Sequence, residues 1–130
     1  MNIPKGSEMT RFGLLVLGGL MLAAGSAVAA EGIELRARTS GELAELCGAK
    51  PGSTGADAKI NFCHGYAQGA VAVRMRTAGE KKPFCFPNPM PSRTTTMNEF
   101  VAWVKSNPAN RDTQSLDGLF KFLGERHPCK

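Results

Sequence analysis

The segment INFCHGYAQGA, residues 60–70, places a cysteine beside a histidine, and the closing segment RHPCK, residues 126–130, contains a second close Cys/His pair. The chemistry of these two pairs decides what kind of protein this is. Each cysteine could be a metal ligand, a catalytic thiol activated by histidine, or one half of a disulfide. The spacing of the cysteines and the compartment of the protein distinguish the three.

The chain has four cysteines, Cys47, Cys63, Cys85 and Cys129, at successive spacings of 16, 22 and 44 residues. Metal sites use short spacings such as C-x2-C, which are absent here. A nucleophile built from Cys63 and a distant His127 would require one thiol to stay reduced. An even number of cysteines in an oxidising compartment favours two disulfides. We therefore expect no metal site and no catalytic residue among them.

The N-terminal residues 1–29 have the organisation of a secretory signal peptide. Lys5 and Arg11 precede an apolar run over residues 12–26, and an A-x-A pattern predicts cleavage after Ala29. The apolar run is shorter than the roughly 20 residues of a membrane span, so an uncleaved anchor is the less favoured alternative. We expect export to the periplasm or the cell exterior, where disulfides form.

The remaining residues, 30–130, suit a single domain with no membrane segment. The whole chain carries 16 Lys and Arg against 11 Asp and Glu; the leader takes Lys5, Arg11 and Glu8, which leaves 14 against 10, a net charge of +4. This charge favours an acidic partner. It does not indicate nucleic-acid binding, because no basic run is longer than Lys81-Lys82.

Apolar residues recur at helical spacing in four segments, which predict helices over residues 40–47, 58–77, 96–106 and 112–125. Thr39 and Glu42 have the spacing of a capping box at the first helix, and Thr96 and Glu99 have it at the third. Asp57 is placed to cap the second. Alternation of apolar and polar residues never lasts beyond four positions, so no strand is predicted.

A proline-rich segment, KKPFCFPNPMP at residues 81–91, separates the second and third helices and holds four of the eight prolines. Proline excludes both a regular helix and a central strand there. Gly79 is a candidate left-handed cap for the second helix, and Pro108 stops the third. The predicted fold class is a small all-α, four-helix, disulfide-stapled domain with a proline-rich middle loop.

The order of the helices suggests how the cysteines pair, because helices that follow each other are usually antiparallel. Cys47 ends the first helix and Cys63 lies early in the second. Cys85 precedes the third helix and Cys129 follows the fourth. We predict the pairs Cys47–Cys63 and Cys85–Cys129, although four cysteines allow three pairings and the sequence alone leaves them open.

Four short motifs follow one another along the chain: ELAELC at 42–47, FCHGYAQGA at 62–70, FCFP at 84–87 and ERHPC at 125–129. Their order resembles the Rap1a/Tai family of periplasmic immunity proteins of the type VI secretion system. The family's C-x-G-Y-x-x-G, F-C-x-P and P-C elements correspond in this chain to Cys63, Gly65, Tyr66, Gly69, Phe84, Cys85, Pro87, Pro128 and Cys129.

The resemblance implies an inhibitor that binds a peptidoglycan amidase effector, has no cofactor and acts as a homodimer. Contacts would come from irregular loops, here Gly48–Ala56 and Gly79–Pro91. The lysines that could steer the protein toward an acidic target are Lys50, Lys59, Lys81 and Lys82. Solubility alone is the alternative role for these lysines.

Three motif positions and the single tryptophan have structural interpretations of their own. Gly65 and Gly69, four residues apart, predict a strip where a neighbouring helix approaches closely, and simple tolerance of glycine is the alternative. Tyr66 is predicted to be a core residue with a satisfied hydroxyl, with an interface anchor as the alternative. Trp103 suits either the core or an interface.

Two other function classes are less favoured than the inhibitor. A stress or chaperone module, or another protein-binding module on the same scaffold, is the alternative function. Acid-activated opening suits an acidic protein, whereas this chain is basic. An enzyme is not indicated, because the sequence lacks H-E-x-x-H, Ser/His/Asp and phosphate-loop motifs. Glu42 and Glu45, three apart, fit a solvated helix face.

Overall fold

The computed structural model describes residues 32–130, in which there are five helices and no strand beyond an isolated bridge between Thr39 and Gln114. The helices are α1 (Ser40–Cys47), α2 (Ala56–Thr77), α3 (Arg93–Ser106), α4 (Pro108–Arg111) and α5 (Ser115–Arg126). The predicted all-α, disulfide-stapled class is confirmed. The predicted signal peptide lies outside the described residues.

Helix α1 begins at the predicted capping box. The Thr39 hydroxyl accepts the backbone N–H of Glu42 at 3.2 Å, and the Glu42 carboxylate accepts the backbone N–H groups of Arg38 at 2.7 Å and Thr39 at 3.3 Å. These reciprocal bonds satisfy donors that a helix start leaves free. The start of α1 is therefore determined by residues next to it in sequence.

Helix α2 is longer than predicted and is not capped by Asp57. Its N-cap is Gly55, in the left-handed region at φ 71° and without a side-chain cap bond, so Asp57 lies inside the first turn. At the other end Gly79 follows the C-cap Ala78 with φ 63°, which confirms the left-handed position predicted for it.

Helix α3 begins before the predicted capping box, so the assignment of Thr96 and Glu99 as that box is wrong. Ser92 is the N-cap, and its hydroxyl accepts the backbone N–H of Thr95 at 3.0 Å. Thr96 is buried and donates to the Ser92 carbonyl oxygen at 3.1 Å. Glu99 instead accepts two bonds from Arg126 in α5. The Glu99 carboxylate therefore makes a tertiary contact with α5 instead of the predicted capping bond within α3.

The helix predicted over residues 112–125 corresponds to α5, which begins three residues later, and a short helix that was not predicted, α4, precedes it, so residues 32–130 contain five helices rather than the predicted four. Asn107 caps the short α4, with its Oδ1 accepting the backbone N–H of Ala109 at 3.1 Å, and Pro108 occupies the first helical position. Three residues then separate α4 from α5. Pro108 therefore ends α3, as predicted, and also starts a new turn.

The core is built around α1, six of whose eight residues are buried. Helices α2, α3, α4 and α5 all contact it. The fully buried hydrophobic residues, at 0% exposure, are Leu43, Cys63, Phe84, Phe100, Val104 and Leu119. Phe84 belongs to the proline-rich segment, so that segment is attached to the core by one aromatic side chain.

Two disulfides join the helices, in the predicted pairing. Cys47–Cys63 links the end of α1 to α2 and is buried, whereas Cys85–Cys129 links the proline-rich segment to the C-terminal end and is exposed. Chain-entropy arguments assign about 3 kcal/mol to closing the first loop and about 4 kcal/mol to the second.

The prediction of close packing at Gly65 and Gly69 is wrong within this chain. Both glycines are exposed, and a Cβ built at either position meets no atom within 4 Å. In contrast, Gly118 of α5 is buried against Ser40, whose hydroxyl would collide with a Cβ there. The structure requires glycine in α5 but leaves the space beside the two α2 glycines open.

We expect Gly65→Ala and Gly69→Ala each to raise the free energy of unfolding by up to about 1 kcal/mol, because alanine favours a helix and nothing blocks its methyl group. Thermal unfolding of the purified variants measures this. Gly118→Ala is the matched control and should lower the melting temperature. A lower melting temperature for Gly65→Ala or Gly69→Ala would contradict the open space described.

Acid should destabilise the fold through two carboxylates. The Arg38 backbone N–H lowers the pKa of Glu42, and hydrogen bonds from the Arg126 guanidinium lower the pKa of Glu99, from an ordinary value of 4.5. The unfolded chain therefore binds more protons in acid, and stability falls as the pH drops below that value. Melting temperatures measured from pH 7 to pH 3 should fall less steeply in Glu42→Gln and Glu99→Gln.

Glu80→Gln, at an exposed loop position, is the control and should follow the parent curve. Equal slopes in all three variants would contradict the assignment of the acid sensitivity to Glu42 and Glu99.

Candidate functional site

The sequence-predicted contact residues fall into two separate groups. The two predicted contact loops precede and follow α2, a helix of 22 residues and therefore about 33 Å in length. The steering candidates are placed accordingly, with Lys50 and Lys59 near the start of α2 and Lys81 and Lys82 beyond its end. The structure does not bring the four lysines into one patch.

Three of the four lysines, Lys59, Lys81 and Lys82, border concave surfaces. Lys59 faces a hollow of about 250 Å³ that also contains Glu34, Arg36 and Glu45, and Arg36 lies 2.9 Å from Glu34 there. Opposite charges offset each other in this hollow. Lys81 and Lys82 border an open depression beside the exposed Cys85–Cys129 disulfide.

A third concave surface is apolar and was not predicted. We call it the methionine groove; its volume is about 530 Å³. One wall is a stripe of α2: His64, Ala67, Gln68, Val71, Ala72 and Met75. The other wall and the floor come from the proline-rich segment, the start of α3 and one residue of α5: Phe86, Met90, Pro91, Arg93, Thr96, Met97 and Leu123.

The groove forms because α2 extends beyond the part of it that is fully buried. The buried residues of α2 end at Ala67, while Val73 is 65% exposed. The proline-rich segment returns alongside, held by Phe84 in the core and by Phe86, whose ring lies 5.6 Å from Phe84 and 5.0 Å from His127. A channel remains between the helix and the segment.

All methionines of residues 32–130 line this groove: Met75, Met90 and Met97. Met97 is 5% exposed and forms part of the core, whereas Met90 is 68% exposed at the rim. Methionine is unbranched and polarizable and adapts its shape to a partner. The groove is therefore suited to contact with another apolar surface.

The polar edge of the groove carries positive charge. The Arg93 guanidinium donates to Gln68 Oε1 at 2.7 Å, which connects α3 to α2 across the groove. His64 lies on the same α2 wall. None of the residues that line the groove is acidic. An anionic group approaching this edge would meet donors and no repelling carboxylate.

The cysteine–histidine pairs of the sequence turn out to be structural. The cysteine of each pair is held in a disulfide, and the His127 ring lies at a tilted angle against Phe86 rather than facing a thiol. Among residues 32–130, no cluster of three or more His, Cys, Asp or Glu is arranged to hold a metal. Pro87 and Pro128 are exposed next to the outer disulfide. In this described part of the chain, no helix is both long enough and apolar enough to cross a membrane.

The two aromatic residues singled out in the sequence pack against the core. The Tyr66 hydroxyl lies 2.6 Å from Ser115 Oγ, which donates to the Ala37 carbonyl oxygen at 2.6 Å. Trp103 is half-buried, and its Nε1 donates to Glu125 at 2.7 Å. Both polar groups are satisfied inside the chain, as predicted for the Tyr66 hydroxyl.

Sequence reasoning missed the groove because its walls come from segments that are far apart in the chain. The available signal was the concentration of all methionines of residues 30–130 between positions 75 and 97. That signal identifies adaptable apolar residues, but it does not show that they face one another.

Comparison with known proteins identifies one relationship. The family model of Rap1a immunity proteins matches residues 39–129, a span that begins at the N-cap of α1 and includes both disulfides. No curated protein and no solved structure matches the chain.

The two disulfides should differ in their rate of reduction, because a thiolate must reach a sulfur atom in order to attack it. We expect Cys85 and Cys129, which are exposed, to be alkylated before Cys47 and Cys63 when the folded protein is treated with dilute dithiothreitol. Mass mapping of the alkylated peptides measures the order. In denaturant both pairs should open at similar rates, and faster opening of Cys47–Cys63 in the folded protein would contradict the prediction.

Proposed function

Because the chain belongs to the Rap1a immunity protein family, we propose that it is a periplasmic immunity protein that inhibits a peptidoglycan amidase effector of a type VI secretion system. Proteins of this family are inhibitors rather than enzymes, and membership implies a protein effector as the partner. The proposal rests on the family match. The periplasmic location, the amidase target and the link to the type VI secretion system go beyond that match.

The disulfides support an extracytoplasmic location. Two disulfides in a domain of about 100 residues are typical of oxidising compartments. The N-terminal residues 1–29 have the composition of a secretory leader that would deliver the chain there. Peptidoglycan amidases act in the same compartment, so inhibitor and target would meet without further transport.

The architecture supports inhibition by binding. An inhibitor needs a surface that is already formed, because ordering that surface during association reduces affinity. Here α1 is attached to α2 by one disulfide, and the proline-rich segment is attached to the C-terminal end by the other. Phe84 holds the same segment in the core. The surfaces next to α2 are therefore preorganised.

A homodimer is part of the proposal, on the strength of the family resemblance. The second candidate function is a module on the same scaffold that binds a different protein, and the exposed apolar groove favours it as much as it favours the inhibitor. The identity of the bound partner separates the two.

Titration of the oxidised mature protein into a type VI peptidoglycan amidase, best the one encoded beside this gene, tests the proposal. We expect inhibition at nanomolar concentration. Reduction and alkylation of both disulfides should abolish it, because the helices then lose their staples. The reduced and alkylated sample also controls for nonspecific effects of added protein. Failure to bind or inhibit any such amidase would refute the amidase assignment and favour the module with another partner.

A further inference from the structure

We propose that the methionine groove is the surface that receives the effector, and that its occupant is the apolar face of an effector helix bordered by acidic side chains. The inference rests on the function proposed above and adds the contact surface and the chemistry of the segment that is recognised. Of the two loops identified from sequence, Gly79–Pro91 supplies part of the groove through Phe86, Met90 and Pro91, whereas Gly48–Ala56 does not line it.

The shape and lining of the groove suit a helix. One wall is a straight stripe of α2, in which Val71 and Met75 are one helical turn apart. Met90 faces that stripe from the proline-rich segment and is 68% exposed. Recognition of an amphipathic helix commonly uses such an apolar groove with adaptable methionines.

Charge complementarity selects an acidic partner. The bond from Arg93 to Gln68 uses one of the five N–H donors of the guanidinium, and His64 lies on the same edge. The nearest acidic residue of α3, Glu99, already accepts from Arg126. A carboxylate supplied by the partner would therefore pair with Arg93 without competing with an acidic residue of the groove.

The exposed glycines border this groove. On a helix with 3.6 residues per turn, Gly65 and Gly69 lie next to the Gln68 and Ala72 edge of the wall. They lack contacts within the chain, although mid-helix glycine weakens a helix. The absence of a side chain at both positions lets the backbone of another helix approach α2 closely.

A second copy of this chain fits the groove less well than an acidic effector. Dimers with two-fold symmetry place the same patch of each subunit together. A groove-to-groove contact would supply no acidic side chain to pair with Arg93, because none of the residues that line the groove is acidic.

Four variants of the full mature protein test the assignment through the affinity for the amidase. Met90→Glu and Arg93→Glu alter the apolar and the charged part of the groove. Each should weaken binding by roughly tenfold or more. Leu116→Glu, at an exposed apolar position of α5 outside the groove, and Lys105→Glu, a charge reversal at an exposed lysine of α3 outside the groove, are the matched controls and should change affinity by less than about twofold.

A second measurement needs no substitution, so it does not depend on the folding of a variant. Met75, Met90 and Met97 are the only methionines after residue 29, so protein labelled with 13C at the methionine methyl groups gives three reporters, all in the groove. Addition of the amidase should shift or broaden these resonances. Their chemical shifts should stay constant when an unrelated acidic protein is added.

The possible results separate this inference from the proposed function. If the amidase is inhibited while the methionine resonances stay unchanged and Met90→Glu and Arg93→Glu bind as the parent does, the groove assignment is wrong and the function stands. If the parent protein binds no amidase, both are wrong. If these two variants change only the sedimentation of the free protein, the groove is an interface between copies, and the effector assignment is overturned.

Discussion

The buried disulfide between Cys47 and Cys63 is the interaction on which the rest of the structure depends. Helix α1 has eight residues, too few to be a stable helix in water by itself. Its capping box orders one end, and the disulfide attaches the other end to a helix of 22 residues. Six of its residues are then buried, and the four other helices pack around it. A small domain has limited core area, so a covalent link at its centre contributes a large share of the stability.

The second disulfide has a different consequence, because it shapes a surface. Together with Phe84, the Cys85–Cys129 bond holds a proline-rich segment that has no regular backbone bonding of its own. The segment lies beside the exposed part of α2, and the methionine groove is the space between them. A rigid core and an adaptable lining are thus combined, which suits an inhibitor that must present a formed surface and still adjust to its target.

Acidic and basic side chains have different roles in this domain. Five of the nine acidic side chains in residues 32–130 bond within the domain: Glu34 pairs with Arg36, Glu42 caps α1, Glu45 pairs with Arg111, Glu99 pairs with Arg126 and Glu125 accepts from Trp103. The edge of the groove keeps Arg93 and His64 without an acidic neighbour in its lining. At this edge the cationic side chain of Arg93 therefore lies beside apolar surface with no acidic residue in the groove lining.

The sequence by itself determined the features that depend on neighbouring residues or on simple topology. The all-α class, the start of α1 at Thr39 and the left-handed Gly79 follow from capping chemistry and helical spacing. Antiparallel packing favoured the cysteine pairing that the structure confirms, but the sequence alone left three pairings open. Only the tertiary structure decided which helix faces are covered. Thr96 and Glu99 have the spacing of a cap but are used in packing and in an ion pair, and Gly65 and Gly69 face open space. The groove is lined by residues from three segments, 64–75, 86–97 and 123. Burial of Phe84 in the core places the proline-rich segment beside α2, and no local sequence pattern predicts that contact.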